Sequence, residues 1–443
     1  MTLYRDPAAP LDARVRDLLS RMTLREKVGQ VNQRMYGWDA YRRTPDGRYE
    51  LTDALYAETD RFEGLGALYG LMRADAWSGV DHGTGPGAQD SAELAESVQR
   101  HVVRRSRLGI PALFVEEVPH GHMALDGTVL PVNLAVGATW DPALYEAAAA
   151  HAAAELRARG GHVALVSALD IVRDPRWGRT EECFGEDPHL AARLTEALVH
   201  GMQGDDPGER FAADKAPVVL KHFAGQGATV GGRNSAESEL GLRELHEIHL
   251  PAARAGIRAG AAAVMSAYNE VDGMPCSGNR ALLTELLRQD WGFGGLVMAD
   301  GLAVDRLARI TGDRPDVVTS DAADASQRIG RFAAGSGAWL VSVLIVSGGV
   351  DVPLPPVGVY PTGARPAAAS GHGRNSARSG GRHGSFGGPP RGRSSPRMYA
   401  PSGWKHGTRR PSPASSQARL SVAKPCARAS NGPVISVGQK PPT

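Results

Sequence analysis

Short runs of consecutive apolar residues punctuate the first three hundred positions, separated by longer stretches whose apolar positions recur three or four apart. The runs are "LGALYGL" (65–71), "PALFVEE" (111–117), "VALVSAL" (163–169), "PVVLKH" (217–222), "AAVMSAY" (262–268) and "GLVMAD" (295–300). Most are bounded by Gly, Pro or polar residues, which predicts strands buried on both faces. Between them, "PALYEAAAAHAAAELRARG" (142–160) and "LRELHEIHLPAARAGIRAG" (242–260) predict helices. Near the start, "LDARVRDLLSRM" places Leu11, Val15, Leu18, Leu19 and Met22 on one helical face. "TLREKVGQ" then restarts a helix, with Thr23 as N-cap and Glu26 completing a capping box. Counting "KVGQV" (27–31) as a first strand gives seven strands, and "WLVSVLIV" (339–346) or "GGVDVPL" (348–354) supplies an eighth. Strands alternating with helices in this number predict a closed (β/α)₈ TIM-type barrel.

The strand ends carry a second pattern. Glu117, Lys221 with His222, Tyr268 and Asp300 all stand at or near the C-terminal end of an apolar run. A purely structural strand stops more comfortably at Asn, Asp or Gly. In a barrel these ends converge on one face, so four of them predict a shared polar pocket. Each residue also has a structural reading. Asp300 suits the N-cap of a helix "LAVDRLARI" (302–310), Tyr268 an aromatic of the barrel core, and Lys221–His222 a solvated strand exit.

Composition changes this picture at the two ends of the chain. In 443 residues, a hydrophobic content of 42% is ample for a large core. "MTLYRDPAAPLDARVRDLL" lacks the apolar core of a signal peptide, and no run approaches a membrane span of about 18 residues. Cys183, Cys276 and Cys426 are too far apart for a disulfide framework or metal motif, so a reduced cytoplasmic protein is expected. The His residues lack metal-ligand spacing. "GQGATVGG" lacks both the Walker lysine and the dinucleotide fingerprint. No metal or cofactor is therefore expected. The last acidic residue is Asp351, and 11 Arg and 3 Lys follow it unopposed in a chain of net charge +2. Residues 356–443, rich in Arg, Gly, Ser and Pro, cannot bury enough apolar surface to offset ordering entropy and read as a disordered tail. A shifted reading frame in a GC-rich gene accounts for that composition. An Arg-rich nucleic-acid contact is the other reading, but only Phe386, Tyr399 and Trp404 interleave, so no nucleic-acid partner is expected.

The loop "DPRWGRTEECFGEDP" (174–188) holds a Trp and a Phe that a solvated loop would rarely display. Together with "LKHFAGQGA", "MSAYNEVDGMPCSGN" and "WGFGGLVMADG", in this order, it resembles the N-terminal barrel of glycoside hydrolase family 3, over about residues 10–307. The resemblance implies a retaining exo-β-glycosidase of β-glucosidase or β-xylosidase type, acting on a small β-glycoside or oligosaccharide, with no membrane partner. It places the nucleophile at Asp300, flanked here by Ala299 and Gly301 where the family usually has Ser and Trp. It makes Lys221 and His222 donors to sugar hydroxyls, gives Arg179 a sugar contact, puts Tyr268 beside the nucleophile, and makes Glu117 the acid that grips the nonreducing end, where Asp is common. Arg179 also reads as a loop salt bridge to Glu181, Glu182 or Glu186. Retaining chemistry needs a second carboxyl group roughly 5–5.5 Å from the nucleophile. The family's β-glucosidases take it from a second α/β sandwich domain, which is not expected here. The alternative acid loop after "KHF" lacks its D-S-H. The expected organisation is a barrel over 1–310, its end within 311–355, and the tail over 356–443. The rival reading is a catalytically impaired sugar-binding or nucleic-acid-interacting protein.

Overall fold

The structure, a computed structural model, describes residues 2–33, 35–206, 210–301 and 303. Six strands form one parallel sheet in sequential order: β1 (Ala67–Tyr69), β2 (Leu113–Glu117), β3 (Val163–Ser167), β4 (Val218–Phe223), β5 (Ala263–Ser266) and β6 (Leu296–Ala299). Five fall inside a run predicted from the apolar pattern, and β4 extends one residue past its run, to Phe223. Helices α1 (Leu11–Arg21), α2 (Leu24–Gln30) and α3 (Asp53–Phe62) precede the sheet. Between its strands come α4 (Ser91–Arg105), α5 (Pro142–Ala158), α6 (Pro188–Gln203) and α7 (Pro251–Arg258). This sequential parallel order with intervening helices is an arc of a (β/α) barrel.

The helices start where the chain supplies caps. The Asp141 side chain accepts from the Leu144 amide and the Asp187 side chain from the amides of His189 and Leu190, each with Pro at the first helical position. The predicted helix over 242–260 is broken. A single turn, Leu242–Glu244, leads into a wide π-type turn, Leu245–His249, before Pro251 opens α7. Proline lacks an amide and crowds the preceding turn, so the wider turn accommodates it.

"KVGQV" is not a strand. The capping box forms as predicted, Thr23 accepting from the Glu26 amide and Glu26 from the Thr23 amide, and carries α2 through Gln30. The chain meets the sheet edge later, through one isolated parallel bridge between Tyr36 and Tyr69. The described sheet therefore has six strands rather than seven. Both candidates for the eighth strand, the end of the barrel over 311–355 and the tail over 356–443 lie outside the described residues.

Two apolar layers flank the sheet. Val166, Val218, Leu220 and Val264 face the helices, packing with Leu156, Leu194, Leu198 and Ala252. Val115, Leu165, Val219 and Met265 fill the inner face. Burial on both faces explains why β1 to β5 read as continuous apolar runs rather than alternating ones.

Candidate active site

All six predicted site residues line one cavity of about 320 Å³ at the C-terminal ends of the strands. That is the small end of the range for ligand pockets, roughly 300–1,000 Å³. Glu117 closes β2, Lys221 and His222 lie in β4, Tyr268 follows β5 and Asp300 follows β6. Arg179 arrives on the loop after β3, at the N-cap of a short turn, Thr180–Glu182. Strand β4 shifts register against β5 between Leu220 and Phe223. Such an irregularity re-aims side chains, so two successive residues reach the same cavity where regular pleating would send them to opposite faces.

Asp300 is buried, and its Oδ1 accepts from the Gly301 amide at 2.7 Å. Its Oδ2 accepts no hydrogen bond among the described residues and lies 3.7 Å from His222 Nε2. Burial raises its carboxyl above the usual carboxylate range, although Arg179 and Lys221, and the His222 ring whenever it is protonated, pull the other way. The result is a desolvated, half-satisfied carboxylate facing a polar cavity.

The other buried charges of the cavity are paired. Lys221 Nζ donates to Glu117 Oε2 at 2.8 Å, and the Tyr69 hydroxyl donates to Glu117 Oε1 at 2.9 Å. Arg73 Nη1 stands 3.5 Å from the same Oε1. Burial would raise the Glu117 carboxyl, but Lys221 and Arg73 hold it below the usual range. Arg179 forks onto Glu182, with Nε donating to Oε1 at 2.6 Å and Nη2 to Oε2 at 2.9 Å. It also donates from Nη1 to the Tyr268 hydroxyl at 3.0 Å, while Nη2 lies 3.2 Å from His222 Nε2. The loop salt bridge and the pocket position are therefore both present in one side chain. Burial would raise the Glu182 carboxyl, yet Arg179 holds it far below its ordinary value, and Ser167 Oγ donates to it at 2.7 Å. A carboxyl fixed as an anion in this way is a poor proton donor. Arg176 pairs with Asp174, at 2.6 Å.

Three contributors, Asp170, Tyr69 and Arg73, were not singled out from sequence, whereas Glu182 was named there as a salt-bridge partner of Arg179. Asp170, three residues past β3, accepts from His222 Nδ1 at 2.7 Å. Glu182 anchors Arg179, and Tyr69 with Arg73 completes the Glu117 end of the cavity. Asp170 and Tyr69 stand at strand ends, so the signal that found Glu117 and Asp300 was present for them too. Beside Arg73, the partly exposed Trp77 meets Tyr36 and Trp38 edge-on, at centroid separations of 5.4 and 4.9 Å, and lines the mouth. Glu181 is the exposed carboxylate of the lining. Among the described residues no cluster of three or more His, Cys, Asp or Glu could hold a metal ion, and no helix is long and apolar enough to cross a membrane.

A (β/α) barrel whose strand ends present paired carboxylates and cations around a small cavity has the makings of a carbohydrate site. The profile described as the glycosyl hydrolase family 3 N terminal domain matches residues 82–327, more than half of the chain, and the chain belongs to that family. A periplasmic β-glucosidase of Salmonella typhimurium is 30% identical over 298 residues, which are 67% of this chain and 34% of that protein. A β-xylosidase of Formosa agariphila is 36% identical over 222 residues, 48% of this chain and 30% of its own length. Among solved structures, a β-glucosidase from Erythrobacter marinus superposes with a TM-score of 0.61 at 31% identity, covering 77% of this chain and 42% of that one. The β-glucosidase of Listeria innocua in complex with glucose gives 0.58 at 33% identity, covering 68% and 39%. The chain thus spans about a third of the length of the curated relatives it matches.

Proposed function

We propose that the cavity holds the nonreducing-end sugar of a β-glucoside and that Asp300 is the nucleophile of a retaining O-glycosyl hydrolase. The observation that carries this reading is the Asp300 carboxylate. It is buried, hydrogen-bonded on one oxygen only, and turned toward a cavity ringed by Lys221, His222, Arg179 and Tyr268. In the first step an Asp300 oxygen bonds to the anomeric carbon as the glycosidic C–O bond breaks, and the departing oxygen takes a proton. In the second, water displaces the carboxylate and restores the β configuration. The Glu117–Lys221 pair and Arg179 offer an acceptor and donors to the ring hydroxyls, which suits a neutral polyol because the local charges already balance.

Asp300 needs a partner acid. Glu182 is held as an anion by Arg179, which leaves Glu181, at the cavity rim, as the carboxyl group of the lining suited to proton transfer. A β-xyloside is the second substrate reading, supported by the Formosa β-xylosidase relative. Turnover of dinitrophenyl β-glucoside against dinitrophenyl β-xyloside tests both readings. Hydrolysis of the glucoside that His222→Ala abolishes is expected, and hydrolysis of neither would overturn them. A cytoplasmic location belongs to the same proposal. It is supported by the free thiols of Cys183 and Cys276, and fractionation would decide it against the periplasm, where the Salmonella relative resides.

A further inference from the structure

Asp170 does not line the cavity, and among the described residues its hydrogen bonds to the cavity lining are to His222, yet it is as buried as Glu117, Lys221 and Asp300. Its carboxylate accepts three hydrogen bonds. Oδ2 takes the His222 ring at Nδ1 (2.7 Å) and the His222 amide (3.3 Å), and Oδ1 takes the Gly227 amide (3.2 Å). The glycine is part of the arrangement. A Cβ at Gly227 would stand 2.4 Å from the Ile171 carbonyl oxygen, so only glycine lets this loop bring its amide against Asp170. The "GQG" after "KHF" therefore ties the end of β3 to the end of β4 through one carboxylate.

We propose that Asp170 is a positioning residue that fixes His222 as the Nδ1–H tautomer, so that Nε2 meets the sugar as a hydrogen-bond acceptor. The argument is one of donors and acceptors. An ionised carboxylate only accepts, so the nitrogen 2.7 Å from Asp170 donates. On the opposite edge of the ring, Arg179 Nη2 stands 3.2 Å from Nε2, and a guanidinium only donates. A proton on Nε2 would face that N–H head on, whereas a lone pair receives it. Nε2 also lies 3.7 Å from the unpartnered Asp300 Oδ2, too far for a hydrogen bond between them. A sugar hydroxyl entering beside Arg179 and Nε2 can replace their direct contact, accepting from Arg179 and donating to the single Nε2 lone pair. The resemblance implied a histidine that donates to the sugar, and the proposed tautomer gives it the opposite polarity. His222 would then leave the nucleophile's oxygen unblocked, because it has no proton to share with Asp300.

This inference rests on the proposed sugar site, and its test separates the two. Histidine is labelled with ¹⁵N, and two-bond proton–nitrogen correlation reads the protonation of each ring nitrogen in the free protein, with His222→Gln assigning the signal. Nδ1 bearing the proton and Nε2 bare is expected, and the reverse pattern would overturn the proposal whatever the protein binds. The δ-lactones of glucose and xylose are then titrated into wild type, Asp170→Asn, His222→Gln and the double variant. Asparagine keeps the shape of Asp170 but cannot accept from all three donors. Asp170→Asn should weaken the tighter-binding lactone roughly ten- to a hundredfold, the loss of one or two hydrogen bonds. In the His222→Gln background the same change should cost less than about twofold, because a residue acting through His222 has nothing left to position. Losses that add in the double variant would assign Asp170 a merely structural role. If neither lactone binds the wild type, the sugar-site reading falls and the nitrogen spectrum alone decides the tautomer.

Discussion

Replacing Glu117 by alanine leaves the Lys221 ammonium in the barrel without its hydrogen-bonded counter-charge. The pair has side-chain exposures of only 10% and 6%, and Lys221 Nζ and the Tyr69 hydroxyl both donate to that one carboxylate. Breaking a buried ion pair from one side costs about 3–5 kcal/mol, because the surviving charge stays desolvated. A domain of this size loses roughly 2 °C of Tm per kcal/mol, so Glu117→Ala should melt about 6–10 °C below wild type. Glu117→Gln keeps an acceptor oxygen but not the charge and should fall between. Removing both charges with Glu117→Leu and Lys221→Met together should recover much of the loss, since no uncompensated charge remains. The pH dependence provides an independent check. Lys221 and Arg73 hold the folded Glu117 carboxyl below its unfolded value of about 4.3. Its stabilisation is therefore complete above about pH 5 and is lost as pH falls through the folded value. The Tm gap between wild type and Glu117→Gln should be widest at neutral pH and close in acid. Circular dichroism melts at pH 3.5 to 7.5 provide the assay. A Glu117→Ala melt within about 2 °C of wild type would refute the reasoning that the pair is buried and coupled.

Asp300→Asn should raise Tm at neutral pH, because burial lifts the folded carboxyl above its unfolded value. The stability linked to that proton is full below about pH 4 and lost as pH rises through the folded value, so the advantage of Asn should vanish in acid. An advantage that grew in acid would contradict it. Glu182→Gln removes the anion that holds Arg179 and should weaken lactone binding at least tenfold, on about 1.5–3 kcal/mol for a hydrogen bond to a charged group. The alkaline limb of the pH–rate profile, which reports the group that must carry a proton, should stay in place, and its displacement would identify Glu182 as the proton donor after all. If the acid is weak or missing, disaccharides should lag dinitrophenyl β-glucoside by about 10²–10⁴-fold beyond the difference in their intrinsic reactivity. Azide should accelerate the activated substrate and yield a β-glycosyl azide. Rapid disaccharide hydrolysis without an azide effect would point to a working acid, with Glu181→Gln the variant to make next.

The strands were legible as apolar runs, written in five of the six by burial on both faces, and β4 alone extends past its run, by one residue to Phe223. "KVGQV" misled for a related reason. Its Val28 is buried on a helix, and a short apolar run does not distinguish the two periods, whereas the capping box at Thr23 and Glu26 did carry the answer. At the site, strand ends and motif resemblance located the groups that line the cavity. They did not show what holds those groups. Asp170 is separated from His222 by 52 residues and Tyr69 from Glu117 by 48, so both partnerships exist only once parallel neighbours align. The Arg179 salt bridge to Glu182 is local and was legible, whereas its reach to Tyr268 spans 89 residues and was not.

The central claim is that Asp300 becomes covalently glycosylated. Incubation with 2-deoxy-2-fluoro-β-glucosyl fluoride slows both steps but supplies a leaving group that needs no acid, so the glycosyl ester should accumulate whether or not a proton donor is in place. Intact-mass measurement should show one added 2-fluoroglucosyl group, peptide mapping should place it on Asp300, and Asp300→Asn should remain unlabelled. A label on another carboxylate, with Asp300→Asn still reacting, would contradict the account.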